Sequence, residues 1–329
     1  MTSHPNAMYR QLEPDRLLDA VESTGLRCDG RILPLNSYEN RVYQLGLEDG
    51  GFVVAKFYRN GRWTDEAIME DHHFTLSLAE RDIPVVAPIQ LNGATLHRCE
   101  SFRFAVFPRR GGRWPELDDP QTQVRVGRLL GRLHAVGQLE HFEHRPRIGV
   151  DIGVNALRFL LEQGFIPADM TGRYQQLVTP LLERIETCLA DFGPFRYLRL
   201  HGDCHPGNIL WTEQSLFLVD FDDCLSGPAI QDLWMLLYGD RQQMTTQILG
   251  LLSGYREFAD FDLRELQLIE PLRTLRLLNY AAWLAQRWSD PAFPQAFPWF
   301  NTRHYWEEHL QLLQEQAAML EEPALSLSW

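Results

Sequence analysis

The densest set of reactive side chains in the sequence is His201-Gly202-Asp203-Cys204-His205-Pro206-Gly207-Asn208, followed by Asp220-Phe221-Asp222-Asp223. Four carboxylates, two imidazoles and an amide thus fall within residues 201–223, next to short strand-like runs at 198–200 and 216–219. Charges at the ends of buried strands carry a large desolvation cost unless they meet a cation or open into a polar cleft. Two chemistries suit such a set. His201, Asp203 and His205 have a spacing that a loop can fold around zinc for hydrolysis, although such sites take a further firm ligand. Asp203, Asn208 and Asp220 offer hard oxygens that suit magnesium and phosphoryl transfer.

The second chemistry makes demands elsewhere in the chain. A base and a metal-holding amide recur in phosphoryl transfer as D-x-x-x-x-N, and Asp203 and Asn208 have that spacing. Asp220 stands where a further metal-holding Asp is required, with Asp222 replacing the glycine of D-F-G. A lysine on an upstream strand must meet the phosphates, and Val53-Val54-Ala55-Lys56 supplies one. On a strand Lys56 shares a face with Val54 and Tyr58. That apolar setting is costly unless the lysine is paired. Its carboxylate partner is expected on the next helix, with Glu70 preferred and Glu66 in reserve. The segment Asn36-Ser37-Tyr38-Glu39-Asn40-Arg41-Val42-Tyr43 precedes the lysine strand and contains no glycine. Its backbone amides and the Ser37 hydroxyl can still donate to phosphate.

The elements that position these residues follow from periodicity. Residues 41–47 and 52–58, joined by Glu48-Asp49-Gly50-Gly51, read as a β-hairpin. A helix is expected over 65–79, with Thr64 as N-cap. Further strands are expected around 89–91 and 102–107. Pro108-Arg109-Arg110-Gly111-Gly112-Arg113 reads as a hinge, beside which residues 104–108 would meet an adenine edge. Helices follow over 124–135 and 177–189, and short strands at 198–200 and 216–220 flank the acidic loops. From 231 onward the pattern is helical, with a proline-rich interruption at 290–298. Asp232 is expected to anchor the acidic loop through backbone amides as an N-cap. His201 and His205 read as structural hydrogen-bonders, and His134 as a cap or core residue. Asp222 suits either a turn or a supporting role at the metal. Tyr280, Trp283, Arg287, Trp288, Trp299, Phe300 and Trp306 read as helical core, or alternatively as an acceptor-binding surface.

Longer motifs carry a resemblance. Residues 198–211 resemble the catalytic motif of the aminoglycoside phosphotransferase and choline kinase group. Residues 34–43, the run Gly227-Pro228-Ala229-Ile230-Gln231-Asp232-Leu233-Trp234 and Asp290-Pro291-Ala292-Phe293-Pro294 are similar to the bacterial stress response kinase A family within it. The similarity spans residues 12–323. It implies an α+β, bilobal protein-kinase-like fold, with a small β-rich N-lobe (1–108) for nucleotide and a larger helical C-lobe (109–329) for the catalytic loop, metal and acceptor. It further implies an ATP-dependent serine/threonine protein kinase of the cytoplasm that acts in stress responses as a monomer. By motif, Asp203 is the base, Asn208 and Asp220 hold Mg2+, Lys56 binds the phosphates and Ser37 lies at the nucleotide loop. The alternative is a kinase of small-molecule hydroxyls, since the wider group phosphorylates small molecules. Little chain separates Asp220 from the Gly227-Pro228 turn, which leaves little room for a phosphorylated activation loop.

Composition excludes other classes. The 329-residue chain carries 31 basic and 44 acidic residues, a net charge of −13. This disfavours nucleic acid and anionic membrane as partners. The five cysteines include no C-x-x-C pair, so neither a disulfide framework nor a structural zinc site is expected, and a reduced compartment fits. Residues 1–11 show no apolar secretory core. The apolar runs fall short of the roughly 18–20 residues that a membrane span needs.

Overall fold

The computed structural model describes residues 12–194, 196–212 and 215–327. The segment 1–11, read above for a secretory core, lies outside them. The chain begins with helix α1 (Pro14–Glu22) and a five-stranded antiparallel sheet of order β1-β2-β3-β5-β4. The strands are β1 (Cys28–Leu35), β2 (Arg41–Leu47), β3 (Phe52–Phe57), β4 (His97–Cys99) and β5 (Phe102–Pro108). The β2–β3 hairpin forms as its strand-like runs and turn predict. β1 gave no such signal. Asp29, Gly30, Arg31 and Pro34 interrupt it, and its register shifts between Cys28 and Ile32. An edge strand tolerates both features, because one side of its backbone needs no partner strand. The strand expected at 89–91 is reduced to a single bridge between Leu91 and Ala94.

Alternation along β3 divides the sheet's two faces. Val53, Ala55 and Phe57 join Leu45, Phe102, Phe104 and Val106 in a core covered by Leu17, Ala20 and Val21 of α1. Lys56 and Tyr58 therefore face the opposite side, toward helix α2 (Asp65–Ala79). Thr64 caps α2 by accepting from the Ala67 amide at 3.2 Å, and the helix buries Ala67, Ile68, Asp71, His72 and Thr75.

Beyond Pro108 the chain is mostly helical: α3 (Pro120–Gly137), α4 (Asp151–Glu162), α5 (Ala168–Phe192), α6 (Ile230–Trp234), α7 (Arg241–Tyr255), α8 (Ile269–Arg287), α9 (Ala292–Ala296) and α10 (Arg303–Met319). The proline-rich interruption thus contains one short helix, α9. Among the described residues no helix is long and apolar enough to cross a membrane. Two small ribbons are inserted between α5 and α6. β6 (Leu198–Leu200) pairs with β9 (Leu225–Gly227), and β7 (Ile209–Trp211) with β8 (Leu216–Leu218). The first acidic loop runs from β6 to β7 and the second from β8 to β9, so the ribbons bring the two loops side by side.

Helices α3 and α7 pack through glycines. A methyl at Gly127 would lie 1.9 Å from the Leu251 carbonyl oxygen, and one at Gly254 would lie 2.0 Å from that of Val124. Gly172 on α5 faces open space instead. Alanine in a helix gains up to about 1 kcal/mol over glycine, whereas overpacking costs about 1–3 kcal/mol. Gly127→Ala should therefore destabilise the protein by about 2 kcal/mol, while Gly172→Ala should stabilise it slightly. Urea titration of the two variants checks the opposite signs, and equal shifts would contradict this packing.

Candidate active site

The loop after β6 is held from below by Asp232. Its carboxylate accepts from the backbone amides of His201 and Gly202, both at 2.8 Å. Asp232 thus anchors the loop from within α6 rather than as a helix N-cap. His134 supports it, with Nε2 3.1 Å from Asp232 Oδ2 and Nδ1 2.9 Å from the Tyr255 hydroxyl. His134 is a core residue. Gly202 has φ of +83°, and a Cβ there would lie 2.1 Å from the Asp223 carbonyl oxygen. The two acidic loops meet this closely only because that position lacks a side chain.

Both histidines of the first loop bond to backbone, His205 within that loop and His201 across to the second. His201 Nε2 donates to the Val219 carbonyl at 2.8 Å, and His205 Nδ1 accepts from the Gly207 amide at 3.0 Å. Each bond occupies one nitrogen of its ring and gives that histidine a structural part in the loops. Burial also lowers the His205 pKa and favours the neutral ring. Asn208 Nδ2 donates to the Asp203 carbonyl at 3.0 Å, and the Asn208 carbonyl accepts from the Val219 amide at 3.1 Å. Asn208 therefore ties Asp203 to the second loop.

The Asp203 carboxylate lies 2.7 Å from Arg276 NH1, and its other oxygen lies 3.6 Å from His205 Nε2. Burial alone would raise its pKa, but Arg276 and His205 hold it below the ordinary carboxylate value.

Lys56 reaches the second loop across the cleft. Its Nζ lies 2.7 Å from Asp220 and 3.0 Å from Asp222. Burial opposes its charge, yet the two carboxylates keep its pKa well above the ordinary lysine value. Asp220 has φ of +61° and is 51% exposed, whereas Asp222 is buried. Asp222 also accepts from Asn40 Nδ2, and its backbone carbonyl accepts from Arg145 at 2.6 Å. Lys56, Arg62 and Arg145 outweigh burial and hold its carboxyl below the ordinary range. Arg62 pairs with Asp223.

The structure brings Lys56, Asp220, Asp203 and Asn208 to one cleft, but not Glu70. Glu70 accepts from the backbone amides of Glu143 and His144, at 2.6 and 2.9 Å. The buried face of α2 runs through Ala67, Ile68, Asp71, His72 and Thr75, and Glu70 lies off its edge. Asp71 is the α2 carboxylate whose field reaches Lys56. Burial pushes its pKa up to about 6 despite Arg145. The i, i+3, i+4 pattern from Ala67 and Ile68 would have singled it out.

The loop bearing Ser37 is fastened at its following residues. Arg59 donates to the carbonyls of Tyr38 and Glu39, and its backbone amide donates to Asn40 Oδ1 at 3.1 Å. The Glu39 carboxylate accepts from Trp283 Nε1 at 2.7 Å and from Arg287 Nε. Arg59 also pairs with Asp290 at 2.8 Å. Glu39, Arg287 and Asp290 fall in segments that the sequence singled out, but their pairing with one another, with Arg59 and with Arg62 had no local signal, because the partners lie on remote elements.

The start of α6, the helix that carries Asp232, rests on a second buried carboxylate. Buried Glu265 accepts from the Ile230 amide at the start of α6 at 2.9 Å, and burial pushes its pKa up to about 7 from 4.5. The folded state therefore holds this proton more tightly than the unfolded state. The stability it contributes is complete below pH 4.5 and is lost as pH rises through about 7. Glu265→Gln keeps an acceptor and removes the titration. It should match the parent near pH 4.5 and exceed it by about 3 kcal/mol near pH 8. Denaturant titrations at the two pH values test this, and a difference independent of pH would contradict it.

A family model described as the phosphotransferase enzyme family matches residues 31–269. Stress response kinase A of Escherichia coli (strain K12) is 45% identical over 321 residues, covering 97% of each chain. Serine/threonine protein kinase RdoA of Salmonella typhimurium is 43% identical over the same length and coverage. Among solved structures, an amicoumacin kinase bound to AMP-PNP, Ca2+ and its ligand aligns with a TM-score of 0.72 at 20% identity, covering 94% of this chain and 96% of that one. A microcompartment-associated aminopropanol kinase aligns with a TM-score of 0.69 at 18% identity, covering 93% and 96%. These two likenesses concern the fold.

Proposed function

Since the chain belongs to the phosphotransferase enzyme family and, within it, to the stress response kinase A family, it is a kinase, and we propose that it is an ATP-dependent serine/threonine protein kinase acting in the cytoplasm as a monomer. It transfers the γ-phosphoryl group of ATP to a protein hydroxyl with the help of Mg2+. The observation that carries this reading is Lys56 set between Asp220 and Asp222, beside a loop in which Asn208 is bonded to Asp203.

Each residue has a part in this reaction. Residues 1–108 receive the nucleotide, with adenine against 104–108 and the Ser37 loop over the phosphates. Residues 109–329 supply the catalytic loop and acceptor surface. Lys56 neutralises the α- and β-phosphates, and Asp222 and Asp71 keep it charged and aimed. Asn208 and Asp220 fit a hard cation: the Asn208 nitrogen is committed inward, leaving its amide oxygen, and the Asp220 carboxylate is half-exposed. Bound there, Mg2+ supplies charge neutralisation at the phosphate oxygens. Asp203, ionised at neutral pH, orients the accepting hydroxyl and takes its proton late in transfer.

Asp203→Ala should lower phosphotransfer by about 10^2- to 10^4-fold while ATP affinity changes little. The assay uses labelled ATP and Mg2+ with generic protein substrates beside hydroxyl-bearing metabolites. Near-full turnover by the variant would remove Asp203 from its role. Labelling of metabolites alone would replace the protein-kinase reading with a small-molecule kinase.

A further inference from the structure

We propose that Arg276 selects the acceptor: it clamps Asp203 in the free enzyme and is drawn off by an anionic group flanking the accepting hydroxyl, so that acidic acceptor segments are preferred. This rests on the reading of Asp203 as the base.

Arg276, on α8, places NH1 2.7 Å from Asp203 Oδ1. A hydroxyl that approaches Asp203 through Oδ1 shares or displaces that contact, whereas Oδ2 faces His205 Nε2 at 3.6 Å. Arg276 is open to solvent where the other guanidinium groups of the cleft are not. Its side chain is 44% exposed, whereas those of Arg59, Arg62 and Arg287, fixed in the Glu39 network, are nearly buried. The guanidinium end of this pair is open to solvent although Asp203 is largely buried, so a second anion can reach the guanidinium. The planar fork of arginine suits a carboxylate or phosphate in two-point contact.

The surroundings describe what lies beside that anion. Tyr280 is one helical turn beyond Arg276, and its ring stacks on Trp283 with centroids 5.7 Å apart. Tyr280 is 40% exposed and Tyr38 46% exposed. The field of Arg276 acts on the Tyr280 hydroxyl, as does that of Tyr38, which places these groups in one neighbourhood. An aromatic wall with an exposed cation fits an extended chain that presents an apolar body and an acidic side chain. The net charge of −13 favours basic acceptors at a distance. Charges beyond about 8 Å are screened at physiological salt, however, so the contact charge of Arg276 decides at the site itself.

The test compares kcat/KM for serine peptides with acidic, neutral and basic flanks, with glycerate and glycerol as a small-hydroxyl pair. The parent enzyme should prefer the acidic peptide over the neutral one by about two- to fivefold, the size of one solvent-exposed charge pair. Arg276→Gln should abolish the preference and raise use of the neutral peptide. Arg276→Lys should restore the preference in part, and Arg276→Glu should reverse it. The KM for ATP should stay unchanged throughout, which a merely structural role would not give. Labelling of glycerate over glycerol, with no peptide labelled, would refute the protein acceptor but retain the anion preference. Equal use of acidic and neutral acceptors, or an acidic preference that survives Arg276→Glu, would overturn the inference.

Discussion

A lysine ammonium withdrawn from water must have counter-charges, and in this protein both of its close partners come from the other half of the molecule. Lys56 lies on the third strand of the sheet, while Asp220 and Asp222 lie on a loop more than 160 residues later. Removing one partner from a buried pair leaves an uncompensated charge, which costs about 3–5 kcal/mol. The contact therefore fixes how the sheet meets the helical part, and the rest of the cleft is arranged to keep it satisfied.

Asp222 is the hub of that arrangement. Its carboxylate meets Lys56 and Asn40, and its backbone carbonyl meets Arg145. Asn40 extends the connection to the Ser37 loop through the Arg59 amide. Arg59 and Glu39 carry it on to Asp290, Trp283 and Arg287 near the end of α8. Below the cleft, Asp232 holds the amides of His201 and Gly202 and is itself held by His134. These two supports leave the carboxylate of Asp220 and the guanidinium of Arg276 half-exposed.

Local order was legible in the sequence. The hairpin followed from β-branched and aromatic runs on either side of a glycine turn, and the bounds of α2 from the Thr64 cap and the stretch around Pro84 that ends it. The first acidic loop stood out because D-x-x-x-x-N falls between short strands, and the structure sets Asp203 and Asn208 in contact there. What escaped was decided by packing between remote elements. Glu70 was preferred with Glu66 in reserve, and Asp71 was passed over although it continues the buried face of α2 set by Ala67 and Ile68. β1 escaped because an edge strand can carry Asp, Gly and Pro without loss. The Glu39 network joins residues up to 248 positions apart, a distance at which no local pattern speaks. The C-terminal aromatics divided. Phe300 and Trp306 are core, while Tyr280 and Trp299 are exposed.

The central claim is that the Lys56 ammonium, held by two carboxylates, is the group that meets ATP. Its most direct measurement is the steady-state phosphotransfer rate of Lys56→Met at saturating acceptor, with circular dichroism confirming a folded protein at the assay temperature. The account predicts a fall of at least about a hundredfold. A folded Lys56→Met enzyme that turns over at the parent rate would contradict it.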